Sequence, residues 1–343
     1  MKPSSEIKGD KMFLKKIWIF LVFLPLLSCG HLVKGNYRAL SPAKPIGENL
    51  FSYEKQPLGA EEKLMKKGRN YEIFKITFPS YVKIGKNDKV IARYYKLKGN
   101  EPRPVVIIFP ISGGGYQIER HTAELLNKHG YHAIILERKK DLFRIDNLSK
   151  IAGEEELEKE LAYSKEVFRQ TVIDGRRVID WLETKSEIAA EKIGVSGVSR
   201  GGIFAGLLLI AEPRLKSGVI IAGGTDIAHT LAYSKEPGIK KVRNIIKKRF
   251  DLSDEQYREK AAKFVFGINA YDYQPPANPE KILMIHGLWD KMVPKHSAEC
   301  LREALGNPDI VWLPAGHLFS ILFTPYMDNL MIEYFTKNLK GNR

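Results

Sequence analysis

The sequence predicts an α/β fold that is doubly wound, with a mostly parallel sheet and helices on both faces. From residue 104 onward, short apolar runs alternate with longer amphipathic segments, and strands separated by helices form right-handed crossovers in a parallel sheet. The run PVVIIFP (104–110) is continuously apolar, as expected of a strand buried on both faces. A chain of 343 residues with 44% hydrophobic composition can bury one large core.

The elements follow in order along the chain. Two segments of alternating polarity, 71–78 and 89–97, predict antiparallel strands that precede the buried run. Beyond that run the sequence predicts helices at 119–130, 167–185, 200–211, near 297–305 and near 326–339, and strands at 131–137, 192–197, 217–224, 281–287 and 309–316.

The N-terminal segment has the features of an export signal. A basic patch precedes the apolar run IWIFLVFLPLLSC, which is short for a bilayer span, and this pattern predicts a signal peptide over residues 1–28. The stretch Leu26-Leu27-Ser28-Cys29 resembles the lipobox of bacterial lipoproteins, in which the cysteine receives a diacylglyceryl group. The resemblance implies an exported lipoprotein anchored through Cys29 on the periplasmic or cell-surface side. A plain signal peptide with an incidental cysteine stays the alternative.

Residues 29–66 mix Pro, Gly, Lys and Asn without periodicity, which predicts a tether between a membrane and a domain over 67–343. The formal charge is +15 and stays positive after removal of the signal peptide, which favours anionic lipid surfaces. Nucleic acid ranks low as a partner because the lysines are scattered and no nucleic-acid-binding module is recognised. With Cys29 lipidated, Cys300 has no cysteine left for a disulfide.

A serine between glycines lies where a predicted strand ends and a predicted helix begins. In the stretch Gly197-Val198-Ser199-Arg200-Gly201, this position would project the hydroxyl above the carboxyl edge of the sheet. A serine hydroxyl needs a general base that a third group orients. Asp290 follows the strand at 281–287 and His317 follows the strand at 309–316. The sequence therefore predicts Ser199, Asp290 and His317 as catalytic residues.

This combination of motifs resembles the α/β-hydrolase superfamily from about residue 71 to the final helix. The resemblance implies a serine hydrolase without a metal or organic cofactor. It also implies an oxyanion hole with one backbone N–H from Arg200 and one from the loop after residue 110. That loop does not begin with the family's usual His-Gly, so the choice between Ile111 and Ser112 stays open.

Several residues have two interpretations. Asp226 is an alternative catalytic acid, but the pattern His286-Gly287-x-x-Asp290 favours Asp290. The side chain of Arg200 either binds an acidic substrate group or is paired within the fold. His286 is interpreted as an inward-facing residue at a strand end. No metal site is predicted, because the other histidines lack metal-ligand spacing along the chain: His121, His129, His132, His229 and His296.

Residues 225–278 form an insertion with two predicted helices, at 239–250 and 254–267, where the superfamily usually carries a cap. The insertion is either a lid that touches substrate or membrane, or a solvent-exposed helical segment without such contacts. The sequence favours hydrolysis of a small-molecule or lipid ester through an acyl-enzyme. A peptidase of the prolyl oligopeptidase kind and a non-catalytic binding lipoprotein are the alternatives.

Overall fold

A computed structural model describes residues 30–37, 49–85, 87–99, 101–113, 115–137 and 151–341. The predicted signal peptide and Cys29 lie outside these residues. Among the described residues, no helix combines the length and apolar character needed to cross a membrane.

One sheet organises the described residues. Its strands are β1 (His31–Val33), β2 (Glu61–Lys67), β3 (Tyr71–Ile84), β4 (Asn87–Leu97), β5 (Arg103–Phe109), β6 (His132–Leu136), β7 (Ile188–Val198), β8 (Leu215–Ile221), β9 (Ile282–Gly287) and β10 (Asp309–Leu313). The spatial order is β1-β10-β9-β8-β7-β5-β6-β4-β3-β2. The six strands from β10 to β6 in this order pair in parallel, and β4, β3 and β2 add antiparallel strands at one end. The predicted parallel sheet with an antiparallel entry is confirmed.

The helices of the described residues are α1 (Gln117–Lys128), α2 (Glu154–Leu182), α3 (Arg200–Ala211), α4 (Ile227–Tyr233), α5 (Pro237–Phe250), α6 (Asp254–Phe264), α7 (Lys295–Ala304) and α8 (Thr324–Phe335). Helix α2 begins 13 residues before the sequence predicts it. Its first turns are mostly charged, and the Glu156 carboxylate accepts hydrogen bonds from the backbone N–H groups of Ala152 and Gly153. This cap begins the helix where the apolar pattern is weak.

The core lies on both faces of the sheet, because alternate residues of each buried strand point to opposite sides. On one face, Val105 and Ile107 of β5 belong to the hydrophobic cluster that includes residues of α2, α3 and α7. On the other face, Val106 and Ile108 belong to the cluster that includes residues of α1 and α8. The prediction of helices on both faces is therefore confirmed.

The direction of winding reverses at β5. This strand pairs with β6 on one side and with β7 on the other, and α1 and α2 connect the three strands on opposite faces of the sheet. The carboxyl ends of β5 and β7 therefore border a crevice of the kind in which α/β proteins bind their ligands. Ile111 follows β5 and Ser199 follows β7, so both lie at this crevice.

The described parts of the predicted tether belong to the folded domain. Strand β1 pairs antiparallel with β10, with His31 opposite Trp312 and Val33 opposite Ile310. Strand β2 pairs antiparallel with β3, and Phe51 is fully buried in the core. The tether prediction for residues 29–66 is corrected for these segments. Strand β1 has only three residues and β2 is mostly charged, so neither has an apolar period that a sequence could reveal.

Asp309 holds the N-terminal segment on the sheet edge. Its Oδ1 accepts hydrogen bonds from the Gly35 N–H at 2.7 Å and the Tyr37 hydroxyl at 3.0 Å. Its Oδ2 lies 3.3 Å from Lys34 Nζ. One buried carboxylate therefore binds three groups of the segment that follows β1.

The predicted insertion, 225–278, contains α4, α5 and α6. It forms a separate hydrophobic cluster with the start of α2: Ile151, Leu157, Ala232, Val242, Ile246 and Tyr257. The end of α4 also binds the loop after β9, since Ser234 Oγ donates to the Met292 carbonyl at 2.6 Å and the Lys235 N–H donates to the Lys291 carbonyl at 2.7 Å. These contacts join the insertion to α2 and to the loop that carries Asp290.

Acidification is expected to release residues 30–37 from the sheet edge. Burial raises the pKa of Asp309, but hydrogen bonds from Gly35, Tyr37 and Lys34 outweigh burial and bring the pKa below its ordinary value of 3.8. A carboxyl group whose pKa is lowered by folding stabilises the folded state at pH values above the pKa that it has in the unfolded chain. This stabilisation is lost as the pH falls through the pKa of the folded state. Amide protection in residues 31–37, measured by hydrogen exchange and corrected for the intrinsic rate, should fall by a few-fold to about tenfold below that pKa.

Asp309→Asn should lose this protection already at neutral pH, because an amide forms weaker hydrogen bonds with Lys34 and the Gly35 N–H. Equal protection of the segment in wild type and variant at neutral pH would contradict the role given to Asp309.

Candidate active site

Ser199 occupies the sharp turn between β7 and α3. Its backbone has φ 56° and ψ −120°, a conformation that residues other than glycine adopt only when the surroundings impose it. The Ser199 N–H donates to the Ile221 carbonyl of β8 at 2.8 Å, and its carbonyl accepts from the Ile203 N–H at 3.1 Å. The turn has the strand, turn and helix order of a nucleophile elbow.

The glycines on either side allow the turn to pack against its neighbours. A Cβ at Gly197 would lie 2.2 Å from the Gly201 carbonyl oxygen, and a Cβ at Gly201 would lie 2.3 Å from the Phe109 carbonyl oxygen. Both positions therefore require glycine. The close approach to Phe109 holds the start of α3 against the end of β5.

The structure brings the three predicted catalytic residues together. His317 Nε2 lies 2.9 Å from Ser199 Oγ, and His317 Nδ1 lies 2.6 Å from Asp290 Oδ2. Because an ionised carboxylate only accepts, Nδ1 carries the proton and Nε2 is left to accept from the Ser199 hydroxyl. The arrangement is that of a nucleophile, a general base and a group that orients the base. We refer to these three residues as the triad.

The loop after β9 fixes the orientation of Asp290, whose side chain is fully buried. Oδ1 accepts hydrogen bonds from the N–H groups of Met292 at 2.8 Å and Val293 at 2.9 Å. These bonds turn Oδ2 toward His317.

One known protein family matches part of the chain. The sequence profile of the prolyl oligopeptidase family matches residues 155–312, a segment that includes Ser199 and Asp290. The chain is a serine hydrolase of the α/β-hydrolase fold. Comparison with curated protein sequences gives no match.

Solved structures share the fold at low sequence identity. An acetyl xylan esterase from Paenibacillus sp. R4 superposes with a TM-score of 0.59 at 16% identity, over 83% of this chain and 90% of that one. Acetyl xylan esterase 1 from Thermoanaerobacterium sp. JW/SL YS485 gives 0.55 at 18% identity, over 80% and 89%. The Pyrococcus horikoshii acylaminoacyl peptidase gives 0.52 at 19% identity, over 80% of this chain but 43% of the peptidase.

Asp226, the alternative acid, contacts a different histidine. Its Oδ1 accepts from the His229 N–H at 3.0 Å, and its Oδ2 lies 3.2 Å from His296 Nε2. The carboxylate that faces His317 is that of Asp290.

His286 is a buried residue at the end of β9 and supports the Asp290 loop. Its Nε2 lies 3.1 Å from the Val293 carbonyl and 3.8 Å from Asp290 Oδ2. Burial lowers the pKa of His286. A neutral ring with its proton on Nε2 donates to the Val293 carbonyl, and the N–H of the same Val293 donates to Asp290.

The predicted oxyanion loop is held by two buried charged side chains. The Ile111 N–H donates to Glu119 Oε1 at 2.7 Å, and the Ile111 carbonyl accepts from the Arg200 guanidinium at 3.1 Å. An N–H that binds a carboxylate in this way does not point at a substrate, so the prediction of Ile111 as a donor is corrected for this conformation. From the predicted set, the backbone N–H groups of Arg200 and Ser112 stay as candidates.

Glu119 has a role in the site that its sequence context does not reveal. It lies in the first turn of α1, and its side chain is almost completely buried. A glutamate at the start of a helix is usually exposed to solvent and interacts favourably with the helix dipole. Nothing in the sequence therefore distinguishes Glu119 from such a residue. The side chain of Arg200 is also buried and pairs within the fold, which agrees with the second of the two interpretations above.

Exposed apolar side chains surround the triad. We call this surface the apolar rim; it comprises Leu288, Trp289, Leu318, Phe319, Ile321 and Leu322. Trp289 is 63% exposed and Phe319 is 70% exposed. The loop after β9 and the loop after β10 run side by side, because the Trp289 N–H donates to the Ala315 carbonyl at 3.1 Å. Six exposed apolar side chains next to two triad residues indicate a binding surface.

The predicted absence of a metal site depended on spacing along the chain. The structure brings donor atoms of Asp226, His229 and His296 within 4.8 Å of one another. Separation in sequence had concealed this group, since His296 lies on α7 and the other two lie at the start of α4.

Replacement of Asp290 by Asn is expected to reduce kcat/KM by on the order of 10⁴, because an amide favours the wrong tautomer of His317. Hydrolysis of a chromogenic ester measures the loss, and circular dichroism checks the fold. Asp251→Asn is the matched control, because Asp251 is exposed and has a left-handed backbone that asparagine tolerates. A loss smaller than about tenfold in folded Asp290→Asn would remove Asp290 from the triad.

Proposed function

We propose that the protein hydrolyses carboxylic esters through an acyl-enzyme formed on Ser199. The observation that supports this most directly is the hydrogen-bonded triad at the crevice between β5 and β7. His317 accepts the Ser199 proton as the hydroxyl attacks the ester carbonyl, and it then donates that proton to the departing alcohol. Water, activated by the same histidine, hydrolyses the acyl-enzyme and releases the acid.

The negative charge of each tetrahedral intermediate requires hydrogen-bond donors. The Arg200 N–H is suited to this role because it lies at the N-terminus of α3, where the helix dipole favours an anion. The loop clamped by Glu119 and the Arg200 side chain would present the second donor, for which Ser112 is the candidate. Clamping both backbone groups of Ile111 keeps this loop in one conformation before substrate arrives.

Two observations favour esters over peptides. Both acetyl xylan esterases are matched over about nine-tenths of their length, whereas more than half of the acylaminoacyl peptidase has no counterpart in this chain. The apolar rim beside Ser199 suits an acyl group or an alcohol with apolar carbon. The peptidase alternative is kept because of the family profile that matches residues 155–312.

We also propose that a lipid on Cys29 anchors the protein with its active-site edge toward the membrane. In the antiparallel pair of β1 and β10, His31 lies opposite Trp312, so the chain enters β1 at the edge of the sheet that His317 follows. Gly30 is packed there, because a Cβ at this position would lie 2.7 Å from the Tyr326 ring. Cys29 is adjacent to Gly30, and consecutive Cα atoms are about 3.8 Å apart. A lipid on Cys29 would thus be attached beside the active-site edge.

The surface chemistry of this edge suits a bilayer. The apolar rim offers side chains that insert among acyl chains, and the exposed Lys291 and Lys295 lie in and after the Asp290 loop. Basic residues beside an apolar surface favour anionic lipids. An ester embedded in the membrane would then reach the triad across the rim.

Ser199→Ala is expected to abolish labelling by a fluorophosphonate probe and to reduce ester turnover by on the order of 10⁶, as for loss of the nucleophile in a serine protease. Ser186→Ala, an exposed serine before β7, should keep both activities. Rates on p-nitrophenyl esters of increasing acyl length and on proline-containing peptide anilides distinguish ester hydrolysis from peptide hydrolysis. Faster cleavage of the anilides would favour the peptidase, and full turnover by Ser199→Ala would exclude the acyl-enzyme.

The anchor is tested with the full chain expressed in a bacterial host. Wild type should take up labelled palmitate and sediment with membranes, whereas Cys29→Ser should do neither. The double variant Phe319→Asn, Ile321→Asn should hydrolyse a vesicle-embedded ester about tenfold or more slowly than wild type, and its turnover of a soluble acetyl ester should fall much less. Leu64→Asn, Met65→Asn is the control, since both residues are exposed on β2 at the other end of the sheet. Palmitate labelling of Cys29→Ser would exclude Cys29 as the site of lipidation.

A further inference from the structure

We propose that Asp226, His229, His296 and Cys300 form a zinc site that joins the 225–278 insertion to α7. The donor atoms of Asp226, His229 and His296 lie within 4.8 Å of one another. Cys300 Sγ lies 3.5 Å from His296 Nε2, and it has no disulfide partner among the described residues. Three side chains with metal-binding atoms therefore meet on a partly exposed surface, and Cys300 lies beside one of them, His296.

Two short helical segments supply the ligands in pairs. His296 and Cys300 are four residues apart on α7 and so lie on the same face of that helix. Asp226 is the N-cap residue of α4, and His229 lies three residues later in its first turn. Two pairs of ligands from two elements are the usual arrangement of a structural zinc site, which holds the elements together through the metal.

The ligand types and their spacing fit zinc better than other common ions. Zinc takes imidazole nitrogen, carboxylate oxygen and thiolate sulfur in tetrahedral geometry, with bond lengths of about 2.0–2.3 Å. Ligand atoms around such an ion are about 3.3–3.8 Å apart. Here Asp226 Oδ2 lies 3.2 Å and Cys300 Sγ lies 3.5 Å from His296 Nε2. Magnesium and calcium prefer sites made of oxygen, and among these residues only the Asp226 carboxylate provides it.

The arrangement of the two histidines also favours a cation. Their rings are 4.3 Å apart between centroids, and a nitrogen of each ring lies within 4.8 Å of the other and of an Asp226 carboxylate oxygen, so one ion can contact both rings. The backbone N–H of His229 donates to Asp226 Oδ1. This leaves Oδ2 directed at His296, where it can serve as a ligand.

The site would stabilise the insertion, and its role is independent of ester hydrolysis. Helix α4 begins the insertion, and α7 follows the loop that carries Asp290. Polar contacts already join this region to α7: Thr230 Oγ1 lies 3.0 Å from Ser297 Oγ, and the N–H of Thr225, just before α4, donates to the Ser297 carbonyl at 2.9 Å. A bound ion at the same junction adds bonds that exist only in the folded state, which raises stability by mass action.

The experiment uses tag-free protein, stripped of metal and titrated with zinc chloride under reducing conditions. Calorimetry should give one zinc ion per chain with a dissociation constant of about 1 μM or lower, and the melting temperature should rise with zinc concentration. Cobalt in place of zinc should give the intense visible bands of a tetrahedral ion and a thiolate charge-transfer band. Cys300→Ser should remove the charge-transfer band.

His296→Asn and His229→Gln should each weaken zinc binding by about 100-fold or more. The matched control is His121→Asn. His121 is another surface histidine beside a carboxylate, with Nε2 2.7 Å from Asp328 Oδ2, but it is not paired with a second histidine. The zinc affinity of this variant should equal that of wild type. Wild-type protein that binds zinc no more tightly than the His296→Asn variant would overturn the proposal. A cobalt complex without a thiolate band would overturn the role of Cys300.

Discussion

The close contact between the Ser199 turn and the end of β5 is the constraint on which the rest of the site depends. It exists because Gly201 brings its Cα within reach of the Phe109 carbonyl and because Gly197 leaves room for the Gly201 carbonyl. The contact fixes Ser199 in a backbone conformation that costs of order 1–3 kcal/mol. It also holds the oxyanion loop next to the nucleophile, since that loop is the direct continuation of β5.

Two loops complete the site around this fixed point, and each is held by buried polar groups. Glu119 and Arg200 bind the backbone of Ile111 on one side of Ser199. On the other side, Val293 binds both Asp290 and His286. Loss of one of these buried hydrogen bonds is costly, so each bond favours the loop arrangement that makes it. The positions of Asp290 and of the Ile111 loop thus depend on buried hydrogen bonds that lie behind the reacting atoms.

The sequence allowed the fold class and the triad to be predicted for a clear reason. Buried parallel strands have continuous apolar runs, and the motifs around Ser199, Asp290 and His317 lie at the ends of such runs. What escaped prediction is set by contacts between distant residues. The pairing of β1 with β10 and of Glu119 with Ile111 leaves no local pattern. The same is true of the group formed by Asp226 and His296, which are seventy residues apart. The start of α2 was missed because its cap is a carboxylate in a run of charges.

Strand β1 has a consequence for the solubility of the domain. A ten-stranded open sheet has two edges, and an uncovered edge offers unpaired backbone groups to another chain. At one end, β2 is exposed along its whole length and carries five charged residues among seven, which discourage strand addition. At the other end, β10 is apolar apart from Asp309, and its edge is covered by the three residues of β1. Detachment of so short a strand would open a hydrophobic edge to self-association, so β1 protects the folded domain against aggregation.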